Sequence, residues 1–330
     1  MNTNRRVLVT GGGGFLGKAV VRLLVQRGRR VRTLSRNSYP ELDKLGVEQV
    51  RADLADADAV MRACEDVEVV FHVGAKPGIW GKYTDFYRTN TVGTQNVIQA
   101  CLKCGVSRLI YTSSPSVIFN GGNMEGVDES VPYPAHYEAH YPKTKALAEQ
   151  AVLKAAREGL PTIVLRPHLI WGPEDNHLAP RLIARASKLR RVGDGTNKVD
   201  IVYIDNAAMA HILAEERLRD NPGLSGRIYF ISQNDPIELW RMIDLILAAG
   251  GKPPITKSIS PALARLIGLI CEQLYTIFRI KSEPPMTRFL AGELATSHWF
   301  DIGAAQRDLG YQPEVSLEQG LARLKDWLNR

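Results

Sequence analysis

Cysteine is scarce in this chain, four in 330 residues, which excludes a disulfide-stapled scaffold and fits a reducing compartment. The one close pair, Cys101 and Cys104, has C-x-x-C spacing but no second pair to complete a metal site. It falls at the end of a helical segment, where core or helix-surface thiols are expected. The seven histidines, His168 and His177 among them, show no ligand spacing, so no metal site is expected. No stretch reaches the roughly 18 uncharged apolar residues of a membrane span. Residues 1–6 run straight into an apolar strand pattern, which leaves no room for a signal peptide. A cytoplasmic location is therefore expected. Internal repeats and low-complexity tracts are missing too, and so is the aromatic–basic interleaving of single-strand nucleic-acid binders. The net charge of +7 then reads as attraction for anionic ligands or a membrane surface, with no nucleic acid expected. The one dense basic cluster, Arg27-Gly28-Arg29-Arg30-Val31-Arg32, is expected beside a cofactor ribose.

What remains is an ordinary globular composition, 45% hydrophobic and 23% charged. The first half alternates strand and helix patterns. Strands are expected at 6–10, 29–35, 47–53, 67–73 and 108–113, with a sixth at 162–165. Helical spacing runs through 15–26 and 84–104. Runs such as Val67-Glu68-Val69-Val70-Phe71 suit strands covered on both faces. Repeated βα units predict an α/β fold, a Rossmann-type doubly wound parallel sheet. The rhythm loosens after the sixth strand, which predicts a smaller C-terminal substrate-binding subdomain. The expected division is a dinucleotide-binding domain over 1–167, with parts of 198–220 returning to it. Residues 168–197 and 225–330 then form the subdomain.

The first strand ends in Thr10-Gly11-Gly12-Gly13-Gly14-Phe15-Leu16-Gly17. Glycines there let the backbone turn sharply and approach a pyrophosphate, while the following helix offers unpaired N–H groups and partial positive charge. Gly12, Gly14 and Gly17 satisfy G-x-G-x-x-G; Gly11, Gly14 and Gly17 satisfy T-G-x-x-G-x-x-G. Further on, Tyr141 and Lys145 stand four apart at the start of a strong helix pattern and share a face. A nearby ammonium favours a phenolate, so Lys145 is expected to lower the Tyr141 pKa from its ordinary ~10. The strand before them ends in Tyr111-Thr112-Ser113-Ser114, which carries a serine to the sheet's C-terminal edge, where ligands bind in such folds. Ser114, Tyr141 and Lys145 together make a carbonyl-reducing site beside a nicotinamide. Ser114 holds the carbonyl oxygen, Tyr141 gives it a proton, and Lys145 tunes Tyr141 and binds the ribose. The rivals are Tyr137, Ser113 and Ser116; Tyr137 has no lysine four residues on.

With these residues in place the chain resembles the extended short-chain dehydrogenases/reductases over nearly its whole length. The motifs are Thr10-Gly11-x-x-Gly14-x-x-Gly17, Asp53-Leu54, Gly74-Ala75, Asn90-Thr91-Val92-Gly93-Thr94, Ser113-Ser114, Tyr141-x-x-x-Lys145 and Arg166-Pro167. The resemblance selects Gly11, Gly14 and Gly17 as the working triplet, with Phe15 and Leu16 on the helix start, and leaves Gly12 and Gly13 as spacers. It implies that Asp53 and Leu54 line an adenine site. Gly74, Ala75 and Lys76 then follow the cofactor's middle, and backbone after Pro167 meets the nicotinamide. An NAD site offers Asp or Glu at the end of the second strand. This chain has Ser35-Arg36, which suit a 2′-phosphate, so NADP(H) is expected over NAD(H).

Dehydratases of this group carry an Asp-Glu pair where Ser114-Pro115-Ser116-Val117 stands, and sugar epimerases carry an Asn where Leu169 stands. The match is to the 3β-hydroxysteroid dehydrogenase-like branch, through Ile170-Trp171-Gly172-Pro173 and Tyr203-Ile204-Asp205-Asn206. Ser38-Tyr39-Pro40-Glu41-Leu42 and Glu283-Pro284-Pro285-Met286-Thr287-Arg288-Phe289-Leu290 look like the bacterial 2-alkyl-3-oxoalkanoate reductases of olefin biosynthesis. That resemblance implies reduction of a β-keto acid with long alkyl chains, ahead of sterol-4-carboxylate dehydrogenation. The implied partners are a hydrophobic small molecule and a second copy of the chain, paired through helices 84–104 and 141–157. The apolar segment 261–278 covers a greasy pocket, lies on a membrane surface or within a biosynthetic complex, or packs in the core. Trp80, Trp171 and Trp299 fall in segments suited to a pocket wall. Arg181, Arg185 and Lys188 share a helix face that offers cations to an anionic substrate or simply to water.

Overall fold

The computed structural model describes residues 6–175 and 178–329; His177 and the first five residues lie outside them. Short Val/Leu/Ile-rich runs form strands β1 (Arg6–Thr10), β2 (Val31–Ser35), β3 (Glu48–Arg51), β4 (Val67–His72) and β5 (Arg108–Thr112). β6 (Met124–Val127) and β7 (Thr162–Pro167) follow. Six of these, all but β6, join Ile228–Ile231 in a seven-stranded sheet of order Ile228–Ile231, β7, β5, β4, β1, β2, β3. Every pairing in it is parallel. Such a sheet needs cover on both faces. Along β1, Val7 and Val9 pack into one apolar layer and Leu8 into the other. Strand order reverses between β1 and β4, which opens a crevice at the C-terminal edge there.

Helix Phe15–Gln26 buries Leu16, Gly17, Val20, Val21 and Leu24, the three-and-four spacing of a single apolar stripe. That stripe meets helix Ile204–Asp220, so this later segment returns to the main sheet. A second, four-stranded sheet joins Ile237–Glu238, Lys198–Val199, His298–Phe300 and β6.

Three expectations change here. Ile228–Ile231 lies in the main sheet, with Ile228 opposite Val164 and Ile231 opposite Pro167, although it falls within the span 225–330. Its unbroken apolar run covers what would otherwise be the open edge of β7. β6, from within 1–167, goes the other way and pairs with His298–Phe300. The arginine cluster stands at the strands' N-terminal edge, opposite the edge that carries Gly11, Ser35 and Gly74. There Arg29 and Arg108 pair with Glu68 and Glu215, and Arg32 holds Glu48 and the Ala63 carbonyl.

Helix Pro261–Ile277 is not a core helix. It buries Ala264 and Gly268 and exposes Leu263, Leu266, Leu269, Ile270, Leu274 and Ile277. A Cβ at Gly268 would stand 2.6 Å from the Thr287 carbonyl carbon, so glycine there lets the helix lie directly on backbone. Trp171 is fully buried against Tyr203, and Trp299 stands over Gly126. Of the three tryptophans proposed for a pocket wall, Trp80 holds that place.

Candidate active site

The residues singled out by motif follow the C-terminal ends of successive strands: Gly11 after β1, Ser35 on β2, Asp53 beyond β3, Gly74 after β4, Ser114 after β5 and Pro167 on β7. The glycine run is shaped by close approach. Gly11 has φ +69°, and a Cβ there would lie 2.7 Å from the Gly74 Cα. A Cβ on Gly17 would lie 2.1 Å from the Gly11 oxygen. Gly12 and Gly13 are more than spacers, because added carbons would strike Thr33 and the Tyr39 ring. Gly14 caps helix Phe15–Gln26. No side chain among the described residues caps that end, and its first turn holds no acid. The N–H groups of Phe15 and Leu16 thus meet an uncrowded, partially positive edge that fits a dinucleotide pyrophosphate. The Ser35 hydroxyl accepts from Gly13 N–H at 3.3 Å, and Arg36 is exposed. Asp53 accepts from Ala55 N–H and pairs with Arg88. Leu54 packs against Gly74 and Gly93. Lys76 N–H is held by Asn90 Oδ1 at 2.7 Å, and Ala75 lies between Gly74 and Lys76 in the same loop.

Helix His140–Arg157 carries Tyr141 and Lys145. Burial pushes the Tyr141 phenol above its ordinary value, and the Ser114 hydroxyl beside it opposes that shift. The expected lowering by Lys145 is not found, because the lysine is turned elsewhere. Its Nζ donates to Tyr111 Oη at 2.7 Å and to the Thr112 carbonyl at 2.6 Å, 4.2 Å from the Tyr111 ring centroid. Burial pulls its pKa down to about 7, against the upward pull of Glu149. The rivals have other duties. Tyr137 donates to the Val117 carbonyl, Ser116 bonds Ser114, and Ser113 Oγ is buried with no partner among the described residues. Ser114 and Tyr141 are therefore the serine and tyrosine that meet.

A cavity of ≈ 1030 Å³ opens beside His140, the residue before Tyr141, with Trp80, Tyr275 and Phe289 in its wall. Its cations are Lys82, Arg279, Lys281 and Arg288; Arg288 falls in the 283–290 segment that carries the resemblance, and no sequence pattern singles out the other three. Arg181, Arg185 and Lys188 are not among its lining residues, and Arg181 pairs with Glu283. Among the described residues no cluster of His, Cys, Asp and Glu could hold a metal. Cys101 sits against Cys64 with its thiol pushed well up, consistent with an inert core residue.

The depressed Lys145 pKa has a measurable consequence. Between about 7 and the ordinary 10.5, the unfolded chain holds a proton that the folded chain does not. Stability from this group therefore rises with pH across that window. The unfolding free energy of the protein minus that of Lys145→Met is expected to climb from pH 7 to 10 in urea titrations. A flat difference contradicts the burial of the amine.

The profile of the 3-beta hydroxysteroid dehydrogenase/isomerase family matches residues 8–257. A protein of Stenotrophomonas maltophilia named 2-alkyl-3-oxoalkanoate reductase is 51% identical over 97% of this chain and 98% of its own. The human sterol-4-alpha-carboxylate 3-dehydrogenase, decarboxylating, is 34% identical over 98% of this chain and 88% of its own. Among solved structures, MoeE5 in complex with UDP-glucuronic acid and NAD aligns at TM-score 0.76 and 26% identity, covering 98% of this chain and 99% of that one. The chain, with its doubly wound sheet and its Ser114–Tyr141–Lys145 edge, belongs to the 3β-hydroxysteroid dehydrogenase/isomerase family.

Proposed function

We propose that this protein is an NADP(H)-dependent reductase of hydrophobic β-keto acids, of the 2-alkyl-3-oxoalkanoate type. The observation that carries the chemistry is the meeting of the Ser114 hydroxyl with a Tyr141 phenol whose pKa burial holds up. A phenol that keeps its proton at neutral pH is a donor, as ketone reduction requires. A reduced dinucleotide with its pyrophosphate on the glycine loop would supply hydride to the carbonyl carbon. Ser114 Oγ–H holds the carbonyl oxygen, and the Tyr141 Oη proton passes to it, leaving a β-hydroxy acid. The substrate reading is supported by the 51% identity to a 2-alkyl-3-oxoalkanoate reductase and the lower identity to the sterol enzyme. The cavity's aromatic wall suits alkyl chains, and although Asp85, Glu138 and Glu272 also line it and Arg288 is paired with Glu272, Lys82, Arg279 and Lys281 offer cations to a carboxylate.

For the cofactor we place Gly11, Gly14, Phe15, Leu16 and Gly17 on the pyrophosphate and Asp53 with Leu54 on the adenine. Gly74, Ala75 and Lys76 follow its middle, and Tyr141, Lys145 and the backbone after Pro167 meet the nicotinamide end. Ser35 and Arg36 face the 2′-phosphate. In this reading the cofactor part is 1–167 without β6, together with helix Ile204–Asp220 and Ile228–Ile231, and the substrate part comprises β6 and the remaining later residues.

The two helices 84–104 and 140–157 leave Tyr87, Leu102 and Leu147 exposed, which supports a homodimer through that face. The other apolar face is lipid-facing in this reading. Spacings of three and four put Leu263, Leu266, Ile270, Leu274 and Ile277 on one side of their helix. Ile277 and Phe278 are each 68% exposed, and exposed Arg279 and Lys281 follow. The only acid in 261–282, Glu272, is neutralised by Arg288 at 2.7 Å. Apolar depth with a basic rim complements an anionic lipid surface, beside the mouth through which an alkyl substrate enters.

Tyr141→Phe is expected to lose on the order of 10²–10⁴ in kcat with NADPH fluorescence titration unchanged; retained turnover refutes the assignment. Across a series of β-keto acids, kcat/KM should rise by up to about four-fold per methylene, and no gain with chain length rejects the long-chain substrate.

Arg36→Ala should raise the KM for NADPH on the order of ten-fold and leave that for NADH alone. Equal efficiency of the unaltered protein with both cofactors defeats the NADP(H) preference.

The chain should co-sediment with phosphatidylglycerol-containing vesicles more than with phosphatidylcholine alone. Leu266→Glu/Ile270→Glu/Ile277→Glu should abolish this and remain dimeric by light scattering. Failure to bind either vesicle, or a monomer from this variant, assigns the face to something other than lipid.

A further inference from the structure

Lys145 does not end in solvent. A hydrogen-bonded string runs from it through the buried layer to the glycine loop, and its directions can be assigned from the donors. An ammonium has only donors, so with Lys145 charged Tyr111 Oη accepts from it at 2.7 Å and keeps its own proton to donate. The Thr94 hydroxyl, which acts on Tyr111, donates its own proton to the Asn90 carbonyl at 2.6 Å. Its lone pairs receive His72 Nε2–H at 2.9 Å and face the neighbouring Tyr111 phenol. His72 is thereby the Nε2-protonated tautomer, and its Nδ1 accepts from Thr10 Oγ1 at 2.7 Å. Thr10 Oγ1 in turn accepts from Gly74 N–H at 3.1 Å. Burial and the Lys145 charge hold His72 down to about 3, so it is neutral and the string keeps one polarity. Tyr111, Thr94 and His72 are each no more than 1% exposed.

We propose that Tyr111, backed by Thr94 and His72, is a positioning residue for Lys145: it fixes the amine by accepting one of its three protons and holds it in the charged form. The Thr112 carbonyl takes a second proton, which leaves one N–H to face the site. The other titratable groups around the amine are Glu149 on its own helix, which bonds Arg166, His72 on β4, and the phenols of Tyr141 and Tyr133. None of these supplies a second acceptor to Lys145. The inference rests on Lys145 belonging to the site, but its first test does not involve turnover.

The test follows Lys145 in the cofactor-free protein by NMR of ¹³Cε-labelled lysine, with Lys145→Arg identifying its signal. Tyr111→Phe keeps the ring under the amine and removes only the acceptor. The Lys145 titration midpoint is expected to fall by about one pH unit. Thr94→Val should move it the same way by less, and Thr94→Ser should restore it. The alkaline limb of kcat/KM against pH should shift with the midpoint. A midpoint unmoved by Tyr111→Phe, in a variant whose melting temperature shows it folded, overturns the proposal. So does a uniform loss of rate at every pH with the limb in place.

Discussion

The site depends on one buried ion pair. Arg166, on β7, and Glu149, on helix His140–Arg157, are 1% and 0% exposed at their side chains and meet through two parallel N–H···O bonds. Tyr133 adds a third donor to the same carboxylate. Two ions taken out of water at such cost persist only when their geometry is fixed from several sides. This pair locks the helix in rotation and height against the sheet. Tyr141, Lys145 and Glu149 lie at steps of four along that helix and so face the same way. Fixing Glu149 on Arg166 brings Lys145 under Thr112 and Tyr141 over Ser114.

The glycines do the corresponding work at the other side of the crevice. Gly11 and Gly74 approach backbone to backbone, and Gly17 lets the first turn of its helix rest on Gly11. That packing brings the ends of β1 and β4 together at the point where strand order reverses. The polar string from Lys145 to Gly74 then crosses between the two halves. It gives the buried hydroxyls and imidazole of Thr10, His72, Thr94 and Tyr111 a partner each, which their burial demands.

Much of this was legible in the sequence because it is local. Strand and helix periods show in apolar spacing, so helix Phe15–Gln26 was read to the residue. Tyr141 and Lys145 share a face by arithmetic alone. What was not legible is what depends on contacts between distant segments. Ile228–Ile231 looks like any short apolar run until it meets the open edge of β7. Arg27, Arg29 and Arg32 form a cluster in the chain but are dispersed in space, to Glu216, to Glu68 and Glu215, and to Glu48. The expected lowering of the Tyr141 pKa assumed that a lysine four residues away points at the phenol. Helical spacing fixes the faces of two residues, not the acceptors that draw a flexible side chain to one of them.

The chemistry of Tyr141 and Lys145 depends on where those acceptors hold the amine. Burial moves the two groups toward each other, the phenol up and the amine down to about 7. In the protein alone, the proton thus resides on Tyr141 near neutrality while Lys145 is close to half charged. Spacing alone would have paired the amine with the phenol; the acceptors at the end of β5 hold it on Tyr111 and Thr112 instead, and Tyr141 keeps its proton beside Ser114.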